Sequence, residues 1–242
     1  MITKFLFKKL NLLIVTINFK ANRLIHEIFI FNFSSKNNIF TSIWKNNYWG
    51  SNESLSGPGS TLLQTRYLIK KLPYVFKKYN IRVLLDAPCG DFNWMKYLLK
   101  KVDLIYTGGD IVDELIIRNN NTYSARNIKF LTLDITRDCF PKADLWLCRH
   151  TLFHFSNDDI FRSLRIFSKS KIKYILVTNC STDKNHIKEN IRTGSWRLLN
   201  LTLPPFNLPS KPLYEIIDSV RPSPPMKLYL YSRKQIFESL KK

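Results

Sequence analysis

The chain has 242 residues, of which 45% are hydrophobic, and its formal net charge is +20. The length suits one α/β domain with additions, and the apolar content is ample for a core. Four cysteines without a C-x-x-C pair, and four scattered histidines, argue against a zinc site or a disulfide scaffold and indicate a reducing compartment. The positive net charge favours anionic partners. The lysines are scattered along the sequence, however, so a surface that is simply rich in lysine explains the charge equally well.

Residues 1–60 are predicted to form a helical extension that ends in a loop. Three lysines precede the apolar run 10–19, which polar residues interrupt and which is too short to span a bilayer. No small-x-small cleavage site follows. We expect a helix packed on the protein's own core, with a basic amphipathic helix resting on a membrane face as the alternative. The stretch 47–60, NYWGSNESLSGPGS, is dense in Gly, Ser and Pro and is predicted to be the loop.

Residues 61–242 are predicted to form the main domain, which opens with a helix. Thr61 fits its N-cap, with Gln64 closing a capping box. The helical periodicity continues to about residue 79, and Pro73 is expected to bend or break it.

Beyond Asn80, strands and helices alternate. The strand-like runs are nearly continuous in apolar character, which is typical of a parallel sheet buried on both faces. A Pro-rich irregular insertion at about 186–212 precedes the last strands. The pattern predicts an α/β, doubly wound, Rossmann-like sheet that is mainly parallel and seven-stranded. Its strands are expected at 82–87, 103–108, 128–133, 143–148, 173–178, 213–218 and 227–233, and its helices at 92–101, 112–119 and 157–169.

Three carboxylates follow three successive predicted strands. Asp110 lies 24 residues beyond Asp86, and Asp134 lies 24 residues beyond Asp110. Any one alone is more often a plain strand-end acid, but together they converge on the crevice where such sheets bind ligands. An acid at this spacing hydrogen-bonds ribose hydroxyls in dinucleotide-type folds. The loop 87–91 has neither G-K-[ST] nor G-x-G-x-x-G, so the pattern favours a nucleoside without a pyrophosphate, approached by one glycine.

The stretch LLDAPCGD resembles the LD-x-G-C-G-x-G turn of class I S-adenosylmethionine-dependent methyltransferases. It matches at Asp86, Cys89 and Gly90 and departs at Pro88 and Phe92, where the family has glycines. The resemblance covers about residues 80–180 and implies S-adenosylmethionine as the cofactor, with Asp110 on both ribose hydroxyls and Asp134 near the adenine amine. The implied cofactor-binding residues are Asp86, Ala87, Pro88, Cys89, Gly90, Asp91, Asp110, Ile111, Asp134, Ile135, Arg149 and Arg66.

Three longer stretches, GSNESLSGPGS, DAPCGDFNWM and TGSWRLLNLTLPPFNLP, resemble a bacterial subgroup of small methyltransferases associated with surface-polysaccharide biosynthesis. This narrower resemblance implies O-methylation of a sugar or glycan intermediate. It also implies a cytoplasmic enzyme, which would be peripheral at the inner membrane face if the basic N-terminus contacts lipid. Ser54, Ser56, Trp196 and Arg197 are the candidate acceptor-binding residues, and turn chemistry and packing are the alternative explanations for them.

Methyl transfer to a hydroxyl requires an aligned acceptor and is helped by a general base. The candidates follow the fourth strand: His150, Arg149 as an orienting cation, and His154, which equally suits a buried structural histidine. Cys148 is expected to be a small buried residue and not a nucleophile. Two rival functions remain open: a methyltransferase acting on RNA or other nucleic acid, and a non-catalytic binding protein with the same fold.

Overall fold

A computed structural model describes residues 35–180, 189–218 and 226–241. Within these ranges seven strands form one sheet in the order β3-β2-β1-β4-β5-β7-β6. The strands are β1 (Val83–Asp86), β2 (Ile105–Asp110), β3 (Ile128–Thr132), β4 (Leu145–Cys148), β5 (Tyr174–Cys180), β6 (Tyr214–Ile217) and β7 (Met226–Ser232).

The first five strands of the sheet run parallel to their neighbours, whereas β7 pairs antiparallel with both β5 and β6. The predicted seven-stranded, mainly parallel α/β sheet is therefore confirmed. The strand order reverses between β1 and β4, and the crevice at the carboxyl ends of strands on either side of such a switch point is where open α/β sheets bind ligands.

The helices of the described chain precede these strands, connect them or follow the last one. They are α1 (Lys36–Lys45), α2 (Leu62–Lys78), α3 (Met95–Leu99), α4 (Asp113–Tyr123), α5 (Asn157–Lys169) and α6 (Arg233–Ser239), with short 3-10 turns at Pro58–Ser60 and Leu152–His154. Thr61 caps α2 as expected, because its side chain accepts a hydrogen bond from the Gln64 N–H.

The expected break at Pro73 was wrong, because α2 continues through it to Lys78. A proline inside a helix removes one backbone hydrogen bond. Buried Leu68 and Leu72 before the proline, and Val75 and Phe76 after it, hold both parts of the helix against the core. Their burial offsets the lost hydrogen bond.

Two apolar clusters cover the two faces of the sheet. Successive strand residues point to opposite faces, so Leu85 and Trp146 enter one cluster while Leu84 and Leu147 enter the other. All four side chains are fully buried. The continuous apolar runs in the sequence thus reflect a central sheet that is covered on both sides.

The segment before residue 35 lies outside the described residues, and with it the predicted core-packed helix and its membrane-contacting alternative. No helix in the described ranges is long and apolar enough to cross a membrane. The division into 1–60 and 61–242 stays a prediction. What the structure adds is that α1 packs on the main sheet domain, with the Phe40 and Phe155 ring centroids 5.9 Å apart.

Replacement of Leu85 by alanine is expected to lower the free energy of unfolding by about 2–5 kcal/mol, because the truncated side chain leaves a cavity in a packed face. The matched control is Ile105→Ala on the adjacent strand β2, where the side chain is 54% exposed. This variant should change the free energy by about 0.5 kcal/mol or less. Equilibrium urea unfolding measures both values, and equal losses would contradict the assignment of the core.

Candidate functional site

One large cavity opens at the carboxyl ends of the parallel strands. It encloses about 970 Å³, including its open mouth. The residues after β1, β2 and β4 line it together with α1 and the loop that follows α1.

Most of the residues predicted for the site lie around this cavity. Those that line it are Asp86, Pro88, Cys89, Gly90, Asp110, Ile111, Asp134, Ile135, Arg149, His150, His154 and Ser56. Those that do not line it are Ala87, Asp91, Arg66, Ser54, Trp196 and Arg197. The three strand-end carboxylates Asp86, Asp110 and Asp134 therefore meet in one cavity, as their spacing indicated.

Asp110 is the best-defined acceptor in the cavity. Its Oδ2 accepts from the Gly90 N–H at 3.1 Å, and its Oδ1 accepts from the Val112 N–H at 3.1 Å. Burial raises the pKa of Asp110 to about 6, despite these N–H donors, which lower it. Each oxygen keeps a lone pair, so the carboxylate has room for two further donors.

Asp86 sits deeper, at the end of β1. The Tyr106 hydroxyl donates to its Oδ2 at 2.8 Å. Burial raises the pKa of Asp86 to about 7, although Tyr106 and Arg149 lower it. Asp86 is therefore an acid that takes or releases a proton near neutral pH.

Asp134 is partnered by a lysine that the sequence did not single out. The Lys36 Nζ lies 3.8 Å from Asp134 Oδ2 and 3.0 Å from Asp159 Oδ1, and it also donates to Thr136 Oγ1. Thr136 in turn donates to Asp134 Oδ1 through both its N–H and its hydroxyl, at 2.9 and 2.6 Å. This network attaches the start of α1 to the end of β3.

The turn after β1 contains two residues with a positive φ, Gly90 and Phe92. Gly90 has φ of +56°, and a Cβ there would lie 2.1 Å from Ser56 Oγ. Phe92 also has a positive φ, +59°, which costs a residue with a side chain about 1–2 kcal/mol. Its ring is 2% exposed and packs on Tyr106 and Phe130, with centroids 5.2 and 5.0 Å away. Phe92 thus turns into the core and does not fill the cavity.

Asp91 anchors the loop that covers this turn. It accepts from the Ser54 hydroxyl at 2.9 Å, the Leu55 N–H at 2.8 Å and the Ser56 hydroxyl at 3.1 Å. Its carboxylate is therefore occupied within the protein and does not face the cavity. Ser54 is buried in the same network, so only Ser56 of the two predicted acceptor-binding serines reaches the cavity wall.

Arg149 and His150 share one buried carboxylate, Asp218, which follows β6. Arg149 Nε donates to Asp218 Oδ1 at 2.8 Å and Arg149 Nη2 donates to the Gly59 carbonyl at 2.8 Å. His150 Nε2 lies 3.0 Å from Asp218 Oδ2, although the two atoms do not meet at a hydrogen-bonding angle. Burial alone would raise the pKa of Asp218, but Arg149 and His150 hold it below its usual value.

His154 is held by the insertion and by aromatic rings. Its Nδ1 lies 2.8 Å from the Ser195 carbonyl, and its ring lies 5.2 Å from that of Trp49. Burial lowers the pKa of His154 to about 4, so it is neutral at physiological pH. A neutral ring whose Nδ1 is hydrogen-bonded fits the structural explanation better than that of a general base.

Three predicted ligand-binding residues lie away from the cavity. Arg66 is exposed on α2, and Trp196 is 50% exposed. Arg197 is 1% exposed and donates to the Glu189 and Phe155 carbonyls and to Asn157 Oδ1. It stabilises the insertion against the start of α5. For Arg197, the structure therefore favours the packing explanation that the sequence left open.

Several cavity residues were not identified from sequence. The N-terminal segment supplies an aromatic wall, and Trp94 adds a ring that stacks under the Arg149 guanidinium at 5.4 Å. Three of them could have been found from their helical spacing, because Lys36, Phe40 and Trp44 lie four residues apart and so share one face of α1. Those missed include Lys36, Phe40, Trp44, Trp49 and Trp94 in the cavity wall, and also Asp218, which does not line the cavity but lies beside His150.

Two other elements of site chemistry can be set out for the described ranges. No group of three or more His, Cys, Asp or Glu residues there is placed to hold a metal ion. Cys148 is fully buried, and burial raises the pKa of its thiol, which agrees with its expected role as a packing residue.

No protein-family model and no curated protein matches the sequence. Among solved structures, the methyltransferase domain of a bacterial Hen1 has a TM-score of 0.54 at 14% identity, over 71% of this chain and 100% of that one. Magnesium protoporphyrin IX methyltransferase (ChlM) from Synechocystis PCC 6803, with bound S-adenosylhomocysteine, has a TM-score of 0.54 at 12% identity, over 87% of this chain and 99% of that one. A SAM-dependent methyltransferase from Leishmania major has a TM-score of 0.58 at 14% identity, over 79% of this chain and 82% of that one. The chain therefore has the class I methyltransferase fold.

Replacement of Asp91 by alanine is expected to release the covering loop, because three donors of that loop lose their shared acceptor. The Leu55 amide should exchange with solvent deuterium about tenfold faster or more, the equivalent of about 1.4 kcal/mol of lost protection. The control is Asp103→Ala, an exposed acid just before β2. Hydrogen exchange read at Leu55 distinguishes the two variants, and unchanged exchange in both would rule out the anchoring role.

Proposed function

We propose that this protein is an S-adenosylmethionine-dependent methyltransferase that methylates a hydroxyl of a sugar or glycan intermediate. One observation carries the cofactor assignment: within a methyltransferase fold, the carboxylates that end three neighbouring strands line a single cavity. Solved relatives of this fold hold S-adenosylhomocysteine, as ChlM does.

The residues present fit a nucleoside that carries an amino acid and a sulfonium. Asp110 has a free lone pair on each oxygen and so suits a vicinal diol such as the ribose of the cofactor. Gly90 lines the cavity, and its lack of a side chain lets the covering loop approach the turn at Ser56. Leu133 and Ile135 give Asp134 an apolar setting next to which an adenine ring would pack.

The bound cofactor supplies a methyl group that is already activated by its positively charged sulfur. The protein's task is then to hold an acceptor oxygen in line and to take its proton. His150 is the base that the geometry favours, because it lines the cavity and its pKa is lowered by burial and by Arg149. It is therefore unprotonated, and able to accept a proton, at neutral pH.

The acceptor class is proposed from the remaining walls of the cavity. Trp44, Trp49 and Phe40 provide ring faces, and the buried Trp44 indole N–H has no partner in the part of the chain that the structure describes. A sugar ring suits this environment, because its apolar face packs on aromatic rings while its oxygens accept hydrogen bonds. Trp44 and Trp49 take the place of Trp196 and Arg197 in this proposal. The surface-polysaccharide link and the cytoplasmic location rest on the sequence resemblance.

Titration calorimetry with S-adenosylmethionine and S-adenosylhomocysteine tests the cofactor assignment. Asp110→Ala should weaken binding about 10- to 100-fold, because two hydrogen bonds to a charged acceptor are lost. Wild-type affinity should also fall below about pH 6, toward about tenfold per pH unit, since protonation of Asp110 removes the acceptor.

The pH dependence near 6 should disappear in Asp110→Ala, and Asp103→Asn should bind like the wild type. A protein that binds neither ligand at any pH would support the non-catalytic alternative for this fold.

A tritiated-methyl assay tests the acceptor class. Purified protein is incubated with S-adenosylmethionine labelled in the methyl group and with cell extract separated into glycan, lipid, RNA and protein fractions. We expect label in the glycan fraction or in glycan carried on lipid, reduced about 10²- to 10⁴-fold by His150→Gln. Label confined to RNA would instead establish the nucleic-acid alternative.

A further inference from the structure

Asp218 is a fully buried carboxylate that reaches the site from the far end of the chain. It follows β6, at the edge of the sheet, and its N–H donates to the Met226 carbonyl at 2.9 Å. Its side chain has no exposure, and the Arg149 side chain beside it is 4% exposed. We propose that Asp218 is a positioning residue that fixes the His150 imidazole with Nε2 protonated, which leaves Nδ1 to take the proton of the acceptor hydroxyl. This inference rests on the proposed function.

The two oxygens of Asp218 are used differently. Oδ1 accepts a well-formed hydrogen bond from Arg149, so the ion pair needs only that oxygen. Among the described residues, buried Oδ2 makes no hydrogen bond, and the same is true of the His150 Nε2 that lies 3.0 Å away. Hydrogen bonds of catalytic pairs are often poorly aligned without substrate and tighten when it binds.

The charge of Asp218 determines which nitrogen of His150 carries the proton. A neutral imidazole has one N–H, and an ionised carboxylate accepts but cannot donate. The stable arrangement therefore places the proton on Nε2, facing Asp218, and leaves the lone pair on Nδ1. The lowered pKa of His150, caused by burial and Arg149, keeps the ring in this neutral form.

Gly59 packs beside Nδ1 of the ring, where any side chain would collide with the imidazole. A Cβ at this position would lie 2.4 Å from Nδ1 and 2.6 Å from Cε1 of His150. The Gly59 carbonyl also accepts from Arg149 Nη2, so the turn cannot simply move away. The His150 side chain is 26% exposed although Nε2 is buried, so the exposed part of the side chain lies elsewhere than at Nε2.

The backbone of His150 is strained into place. Its φ is +51°, a value that residues with side chains rarely adopt, and its N–H donates to Thr178 Oγ1 at 2.9 Å. Such strain persists where the surrounding structure determines it, as at active sites. Here Thr178, Asp218 and the turn at Gly59 together determine where the ring lies.

The proton balance of the step is complete. As the acceptor oxygen forms its bond to the methyl carbon, the bond from that carbon to sulfur breaks and its electron pair stays on sulfur. The hydroxyl proton passes to Nδ1, and Asp218 stabilises the resulting imidazolium. After the products leave, the proton passes from His150 to water.

The charged and titratable groups around the ring are Arg149 from the end of β4, His154 from the following 3-10 turn and Asp218 from β6. Among the described residues, Asp218 is the group that raises the pKa of His150, and the Asn substitution removes its charge. In Asp218→Asn the acidic limb of the rate profile should therefore move to lower pH, while the maximum rate falls about 10²-fold or more. An asparagine amide facing Nε2 also favours the tautomer with the proton on Nδ1, which cannot accept another.

Nitrogen-15 NMR of the histidine rings tests the inference without a known acceptor, with His150 assigned by its loss in His150→Gln. We expect an Nε2–H tautomer in the wild type and a lower His150 pKa or the Nδ1–H tautomer in Asp218→Asn. Glu215→Gln, on β6 but exposed, is the matched control and should leave the spectrum unchanged. An Nδ1–H tautomer in the wild type would overturn the inference, even if Asp218→Asn does not fold.

Gly59→Ala is the second test. Its methyl transfer is measured on the extract fraction that the wild-type protein labels. The added methyl should lower methyl transfer about 10²-fold or more while S-adenosylhomocysteine affinity changes less than about threefold. Unchanged transfer in Gly59→Ala, or an unchanged rate profile in Asp218→Asn, would refute the positioning role while leaving the methyltransferase assignment intact. Failure to bind S-adenosylhomocysteine in the wild type would instead refute the proposed function.

Discussion

Burial of negative charge at the ends of parallel strands is the constraint on which the rest of this structure depends. Asp86 and Asp110 sit in surroundings that raise their pKa values to about 7 and about 6. Burying a carboxylate is costly unless donors meet it. Backbone N–H groups and Tyr106 meet part of the demand, and the remaining acceptor capacity faces an open cavity. The hydroxyl groups of a bound ligand would donate hydrogen bonds to the carboxylates and so reduce the free-energy cost of burying them.

The same constraint explains the contacts around the carboxylates. Lys36 lies near Asp134, Arg149 is paired with Asp218, and Asp91 collects three donors from the loop above it. Each pairing crosses between distant parts of the chain. The site is therefore stabilised by polar contacts at its rim, whereas the sheet beneath is stabilised by apolar burial on both faces.

Most of the fold was predictable from sequence because it follows from local physics. The apolar runs placed all seven strands, since a strand buried on both faces needs no polar residue in alternation. Strand-end acids at equal spacing placed Asp110 and Asp134 because parallel strands bring their carboxyl ends to one edge. Pro73 was the local exception, where tertiary packing overrode a helix-breaking residue.

The acceptor side of the site was not predictable in the same way. Arg197 and Trp196 looked like ligand contacts by composition, but composition does not show whether backbone carbonyls will take the donors of an arginine. Asp218 follows a short strand 68 residues after His150, and only the pairing of β6 with β7 beyond β5 delivers it to the site. Phe92 shows the limit of motif matching, because a ring buried among aromatics sustains a backbone that the motif assigns to glycine.

The cavity has two walls of different origin. The ends of the strands form the floor, which any protein of this architecture can build. The roof is formed by the segment before α2, through Lys36, Phe40, Trp44 and Trp49. Because the roof is joined to the floor by side-chain contacts and one loop, substitutions in it leave the sheet's hydrogen bonds untouched. Under the proposed function, preference for one acceptor over another is free to diverge in that short stretch, while the floor that would hold the cofactor stays constant.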